Sequence, residues 1–132
     1  MELGPEQEVG DASWDEIDAA LTRLDGSTYN EVSLERAPDQ DGSQETMIVG
    51  GGADGRLTVA YTWLGPDQSR HWWFLSDPSR GDAVETRTVG GQETPLPGRL
   101  WVSRSEAAAA SSHFLLHGGR NPDLIWVVDI VD

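Results

Sequence analysis

Met47-Ile48-Val49-Gly50-Gly51-Gly52-Ala53-Asp54-Gly55-Arg56-Leu57-Thr58-Val59-Ala60-Tyr61-Thr62-Trp63 decides the fold class. Gly50, Gly52 and Gly55 spell G-x-G-x-x-G directly after an apolar run. A dinucleotide site needs a helix next, because the pyrophosphate rests on that helix's N-terminus. Here Leu57, Val59, Tyr61 and Trp63 alternate with Thr58, Ala60 and Thr62, a period of two that belongs to a strand. No Lys-Ser/Thr follows the glycines, so this is not a P-loop either. The stretch reads as strand, turn, strand. Asp54-Gly55 supplies the positive-φ positions, and the glycines before it allow a bulge or a close approach of other backbone.

Outward from this hairpin the pattern alternates turns with short strands. Upstream, Ser13 and Glu16 form a capping box for a helix whose Trp14, Ile17, Leu21 and Leu24 make one apolar stripe. Asp25-Gly26-Ser27 ends it. A strand is expected from about Thr28 to Arg36, with Val32 and Leu34 on one side. Downstream, strands are expected at 70–75 and 83–89, followed by an extended connector at 93–98 imposed by Pro95 and Pro97. Ser105 is the expected cap of a second helix, Glu106 to His117, ending at Gly118 in a left-handed conformation. The near-continuous apolar run Leu124 to Val131 predicts a central strand covered on both faces. The sum is α+β: a mostly antiparallel sheet of about six strands with two helices packed on it. Residues 1–12 are expected to be a flexible acidic lead, and residues 13–132 one domain.

Charge is distributed unevenly. Residues 1–45 hold thirteen Asp and Glu against Arg23 and Arg36, a net of −11 out of −14. Residues 46–132 hold ten acids against seven Arg, a net of −3. Such a field disfavours nucleic acid and anionic membrane, which need Lys and Arg, and attracts a basic protein partner. There is no Cys and no Lys, so disulfide and thiolate chemistry are excluded. No apolar stretch approaches the ~20 residues of a membrane helix, and the N-terminus lacks a signal-peptide pattern. A cytoplasmic protein is expected.

Candidate sites are few. His113 and His117 have the spacing of two metal ligands on a helix, but Phe114 stands where a metalloprotease carries Glu. No nucleophile elbow is present. Trp14, Trp63, Trp101 and Trp126 lie in apolar patterns and read as core. Trp72 and Trp73 are adjacent in a strand and must point to opposite faces. Asp15, Asp18, Glu31 and Glu35 read either as a solvated face or as an acidic patch turned to a partner.

The ordered features have a family likeness. They run from Ser13-Trp14-Asp15-Glu16-Ile17, through Met47-Ile48-Val49-Gly50-Gly51-Gly52 and Asp54-Gly55-Arg56, to Phe114-Leu115-Leu116-His117-Gly118-Gly119-Arg120 and Asp123-Leu124-Ile125-Trp126. Together they resemble the Imm1 family of bacterial immunity proteins, over Ser13 to Trp126. The most specific parts are the triple glycine entering a strand and the closing Gly-Arg…Leu-x-Trp. The resemblance implies an antidote that binds and blocks a cognate toxin domain, often a nucleic-acid deaminase with a basic groove. It implies no enzyme activity and no cofactor or metal. The expected state is a monomer in a 1:1 complex, occluding the toxin's substrate cleft. The expected contacts are Asp15, Asp18, Glu31 and Glu35, with Trp72 or Trp73 as an aromatic anchor. Two alternatives stand beside it. One is a small ligand-binding domain or enzyme using the Gly50–Gly55 loop and His113/His117; the other is a general acidic DNA mimic.

Overall fold

The computed structural model describes residues 2–3, 7–8, 13–25, 31–36, 38–52, 54–89 and 91–131. Helix α1, Trp14–Arg23, starts where the capping box places it: Glu16 N donates to Ser13 Oγ and Ser13 N donates to Glu16 Oε1, both at 3.3 Å. Its buried stripe is Ile17, Ala20 and Leu21, continued by Leu24, while Trp14 is half-buried against the same core. Gly26 and Ser27, like most of residues 1–12, lie outside the described residues. From that first segment the backbone of β1 (Glu2–Leu3) and β2 (Gln7–Glu8) is described, and β1 pairs with Val32 and Ser33.

The main sheet is built from β3 (Glu31–Glu35), β4 (Gln44–Gly51), β5 (Arg56–Leu64), β6 (Arg70–Ser76) and β10 (Ile125–Val131). The strand order is β10-β6-β5-β4-β3-β1-β2, and the two-residue β9 (Val102–Ser103) joins the end of β5. All pairings are antiparallel. Period-two alternation sends Val32, Leu34, Met47, Val49, Leu57, Val59 and Leu75 to one face, each at most 4% exposed. Both helices pack there. Helix α2, Arg104–His117, lies close to the sheet because its inward residues Ala107, Ala110 and Ser111 are small, with Phe114 closing the stripe. Sequestering this surface at roughly 25 cal/mol per Å² is the main term holding the layers together. No helix among the described residues covers the opposite sheet face.

Three expectations are corrected. The cap of α2 is Ser103 rather than Ser105: Glu106 N donates to Ser103 Oγ and Ser103 N to Glu106 Oε1, both at 3.1 Å. Both positions begin with Ser, but only Ser103 has Glu three residues on. The expected connector at 93–98 is strand β8 (Gln92–Pro97), which forms a separate ribbon with β7 (Val84–Val89). A two-stranded ribbon has only edge strands, so Pro95 and Pro97 are tolerated. Finally, β10 is an edge strand rather than a central one. Ile125, opposite Ser76 on the helix-free face, and Val128, opposite Trp73 on the helix side, stand 54% and 56% exposed, so neither face of this edge strand is fully covered. An apolar run therefore does not distinguish a covered strand from an edge strand with exposed apolar side chains.

The ribbon is pinned beside the β4–β5 turn. Trp101, fully buried, donates its indole N–H to Glu85 O at 2.9 Å, and the Arg87 guanidinium lies 5.2 Å from its ring. Arg87 also pairs with Asp54 and Glu85. The turn itself explains its glycines. Gly52 takes φ +108°, and a Cβ there would come within 2.3 Å of Leu24 O; Gly55 takes φ +80° with open space around it. Gly52→Ala is therefore expected to cost about 3 kcal/mol, from positive φ and a backbone clash together, whereas Gly55→Ala costs about 1 kcal/mol from φ alone. Urea unfolding of the two variants checks this; equal losses would contradict the close-approach account.

Candidate functional site

Period-two alternation and packing divide the expected contact residues among different surfaces. Asp15 and Asp18 are exposed on the outer side of α1. Glu31 and Glu35 alternate with the buried Val32 and Leu34, so they point to the helix-free face. There Glu35 and Trp72 come together in a shallow groove of about 250 Å³, with Thr46, Thr62 and Arg70. Trp73 points the other way, onto the helix-covered side, where it packs against the core. The six residues do not form one site; the structure joins Glu35 with Trp72 and separates both from Asp15, Asp18 and Trp73.

Trp73 belongs instead to an open aromatic basin of about 590 Å³ at the β10 end of the helix side. Tyr61 and Trp63 on β5, Trp73 on β6 and Trp126 on β10 form its walls, and the loop after α2 forms its rim. The register puts Trp63 opposite His71 and Tyr61 opposite Trp73. The His71 ring lies 5.5 Å from Trp63 and 5.8 Å from Trp73, and Tyr61 lies 5.5 Å from Trp73. Such spacings suit tilted and offset ring packing. Trp126 is held by its indole N–H, which donates to Asn121 O at 3.1 Å. Trp63 and Trp126, expected as core, are half-buried walls of this basin; of the four, only Trp101 is fully buried.

The rim is tied down by one carboxylate. Glu45 accepts from Tyr61 Oη–H and from Gly119 N–H, each at 2.7 Å, and pairs with Arg36 at 3.5 Å. Arg36 also donates to the Phe114 and Leu115 carbonyls, at 3.1 and 3.2 Å, which closes the C-terminus of α2. Gly118 and Gly119, at φ +74° and +70°, then turn the chain so that Arg120 returns over Trp73, its guanidinium carbon 4.3 Å from the ring centroid. Glu45, Tyr61 and Arg120 carried no signal in the linear sequence as a group. They are separated by 16 and 59 residues, and only the sheet register unites them.

The alternative sites take other forms. The glycine loop uses its own amides: Gly52 N donates to Arg56 O and Gly55 N to Gly52 O. The His113 and His117 rings are tilted 49° to each other with centroids 5.0 Å apart, and among the described residues no group of three or more His, Cys, Asp or Glu is placed to hold a metal.

The family model for immunity protein Imm1 matches residues 6–128. No curated protein and no solved structure gives a significant match. The chain belongs to the Imm1 family of immunity proteins.

Burial, and next the neighbouring Glu45 carboxylate, push the Tyr61 phenol above its ordinary range. The folded value exceeds the unfolded one, so the stabilisation is fully present below about pH 10 and is lost as pH rises above that. Tyr61→Phe is expected to cost about 1 kcal/mol at pH 8, the usual worth of such a hydrogen bond, and to flatten the fall in stability above pH 10. Denaturant unfolding of both proteins between pH 8 and 11 measures it; parallel curves would contradict the assignment.

Proposed function

We propose that this chain is the antidote to a basic bacterial toxin domain of the nucleic-acid deaminase class, acting as one domain over residues 13–132. It binds that domain 1:1 in the cytoplasm and occludes its substrate cleft, without catalysis. The observation that carries the reading is the confinement of −11 of the −14 net charge to residues 1–45 in a member of an immunity family. A deaminase must draw in a polyanion, so its cleft is basic, and an acidic inhibitor can occupy the same field. Asp15, Asp18 and Glu35 are exposed and Glu31 half-buried; they lie on different surfaces, and this reading assigns them to the long-range field that steers the encounter. Trp72, beside Glu35 in the groove of the helix-free face, is the aromatic anchor this reading assigns to that surface, and Trp73 the one on the basin side.

Electrostatic steering acts chiefly on the association rate and weakens with salt, because the screening length falls from about 10 Å at 0.1 M to about 3 Å at 1 M. The test is co-purification with the toxin domain encoded beside this chain, followed by affinity measured from 50 mM to 500 mM salt. The expected result is a stable complex, inactive in a deaminase assay, that weakens at least about tenfold across that range through slower association. Asp15→Lys with Asp18→Lys is expected to slow association about threefold or more. Absence of a complex would overturn the inhibitor role. A salt-indifferent complex would overturn the charge argument alone.

A further inference from the structure

The geometry points to the aromatic basin as a socket for an arginine side chain of the partner, with the chain's own Arg120 as the resident stand-in. The identity of the partner rests on the toxin-binding reading; the chemistry of the socket does not.

Three observations converge on it. First, the basin already accommodates a guanidinium. Arg120 lies 4.3 Å from the Trp73 centroid, well within the roughly 6 Å reach of a cation–π contact. Trp is the strongest ring for such contacts, and the planar guanidinium stacks where an ammonium would not. Second, Arg120 is held loosely. It is exposed, and no carboxylate pairs with it among the described residues. By contrast Arg36, Arg80, Arg87 and Arg99 all pair with acids, and Arg104 is bound by carbonyls. The amides of Gly118 and Gly119 are held by Phe114 O and Glu45, so the loop backbone is fixed and only the exposed Arg120 side chain has to swing aside. Third, the space exceeds what one side chain fills. About 590 Å³ opens between Trp63, Trp73 and Trp126, rigid walls fixed by the strand register and by the Trp126–Asn121 bond. The occupant fits by charge, since the whole chain carries −14 and Glu45 lies behind the Tyr61 wall.

A resident group that must move aside lowers the apparent affinity by the fraction of molecules in which the socket is filled. Removing it therefore tightens binding, the opposite of what happens when a contact residue is lost. An exposed cation–π contact is weak, so the gain is about 2–5-fold.

The first experiment needs no toxin. Tryptophan fluorescence of the Arg120→Ala protein is titrated with arginine amide and, at equal ionic strength, with citrulline amide, which keeps the α-amino group and the shape but replaces the guanidinium with a neutral ureido group. The expected result is a saturable change with arginine amide in the millimolar range, at least about twofold weaker in the unmodified protein, and none with citrulline amide. Equal responses to the two amides, or equal affinity with and without Arg120, would overturn the socket. In the second experiment, Arg120→Ala is expected to bind the toxin domain about 2–5-fold tighter, and Trp126→Leu about tenfold weaker or more. Weaker binding by Arg120→Ala would overturn the stand-in role, because Arg120 would then be a contact itself. Arg120 is an exposed loop residue, so that result stands even if Trp126→Leu unfolds. If the unmodified protein does not bind the toxin domain, the antidote reading fails while the amide titration still decides the socket.

Discussion

Three backbone carbonyls converge on one guanidinium. Arg104 donates to Leu21 O at 2.5 Å, Leu24 O at 2.9 Å and Gly52 O at 3.0 Å. Those oxygens belong to the end of α1 and to the β4–β5 turn, while Arg104 itself is the first residue of α2. The end of a helix leaves carbonyls without intrahelical partners, and burying them unpaired costs about 1–3 kcal/mol each. One side chain therefore removes several such penalties and fixes the two helices against the hairpin. Gly52 is required at the same point, since any side chain there would strike Leu24 O. The junction sets the position of α2, whose far end delivers the loop bearing Arg120.

A second carboxylate-centred junction at Glu45 holds that far end. The molecule thus commits most of its few positive charges to internal fastening. Arg36, Arg80, Arg87 and Arg99 serve ion pairs, and Arg104 serves carbonyls. Asp15 and Asp18 on α1 and Glu35 on β3 are exposed, so their field extends into solvent. Individual surface ion pairs contribute only about 0–1 kcal/mol to stability, so this allocation matters less for folding than for which partners the protein meets. A strongly acidic field raises encounter rates with a basic surface, whereas discrimination among basic surfaces needs shaped, desolvated contacts. The helix-free groove at Glu35 and Trp72 and the aromatic basin on the other side are two shaped surfaces among the described residues that could supply it.

Most of the fold was legible because its signals are local. The hairpin at 47–63 was read from period two, α1 from its capping box and stripe, and Gly118 from its place after the last turn of α2. Where reading failed, two local signals competed or the deciding fact was non-local. Ser105 and Ser103 compete as caps, and Glu106 decides between them. Pro95 and Pro97 argue against a strand unless that strand has only edges, which is a property of the ribbon and not of the segment. The run 124–131 looks central because hydrophobicity records side chains, not neighbours. The basin was the least legible feature. Trp63, Trp73, Trp126 and Arg120 come from three strands and a loop, and the apolar patterns around the tryptophans fit a core wall and a pocket wall equally. The exposed acids, in contrast, were visible one by one, but their division between α1 and the far face of β3 depended on the packing of α1.

The most direct test of the inhibitor account is a stoichiometric titration of the toxin domain's activity, at a toxin concentration well above the dissociation constant. The account predicts a linear fall that reaches zero at one equivalent of this protein and does not deepen with time. Activity unchanged beyond several equivalents, or loss completed far below one equivalent as a catalyst would produce, would contradict it.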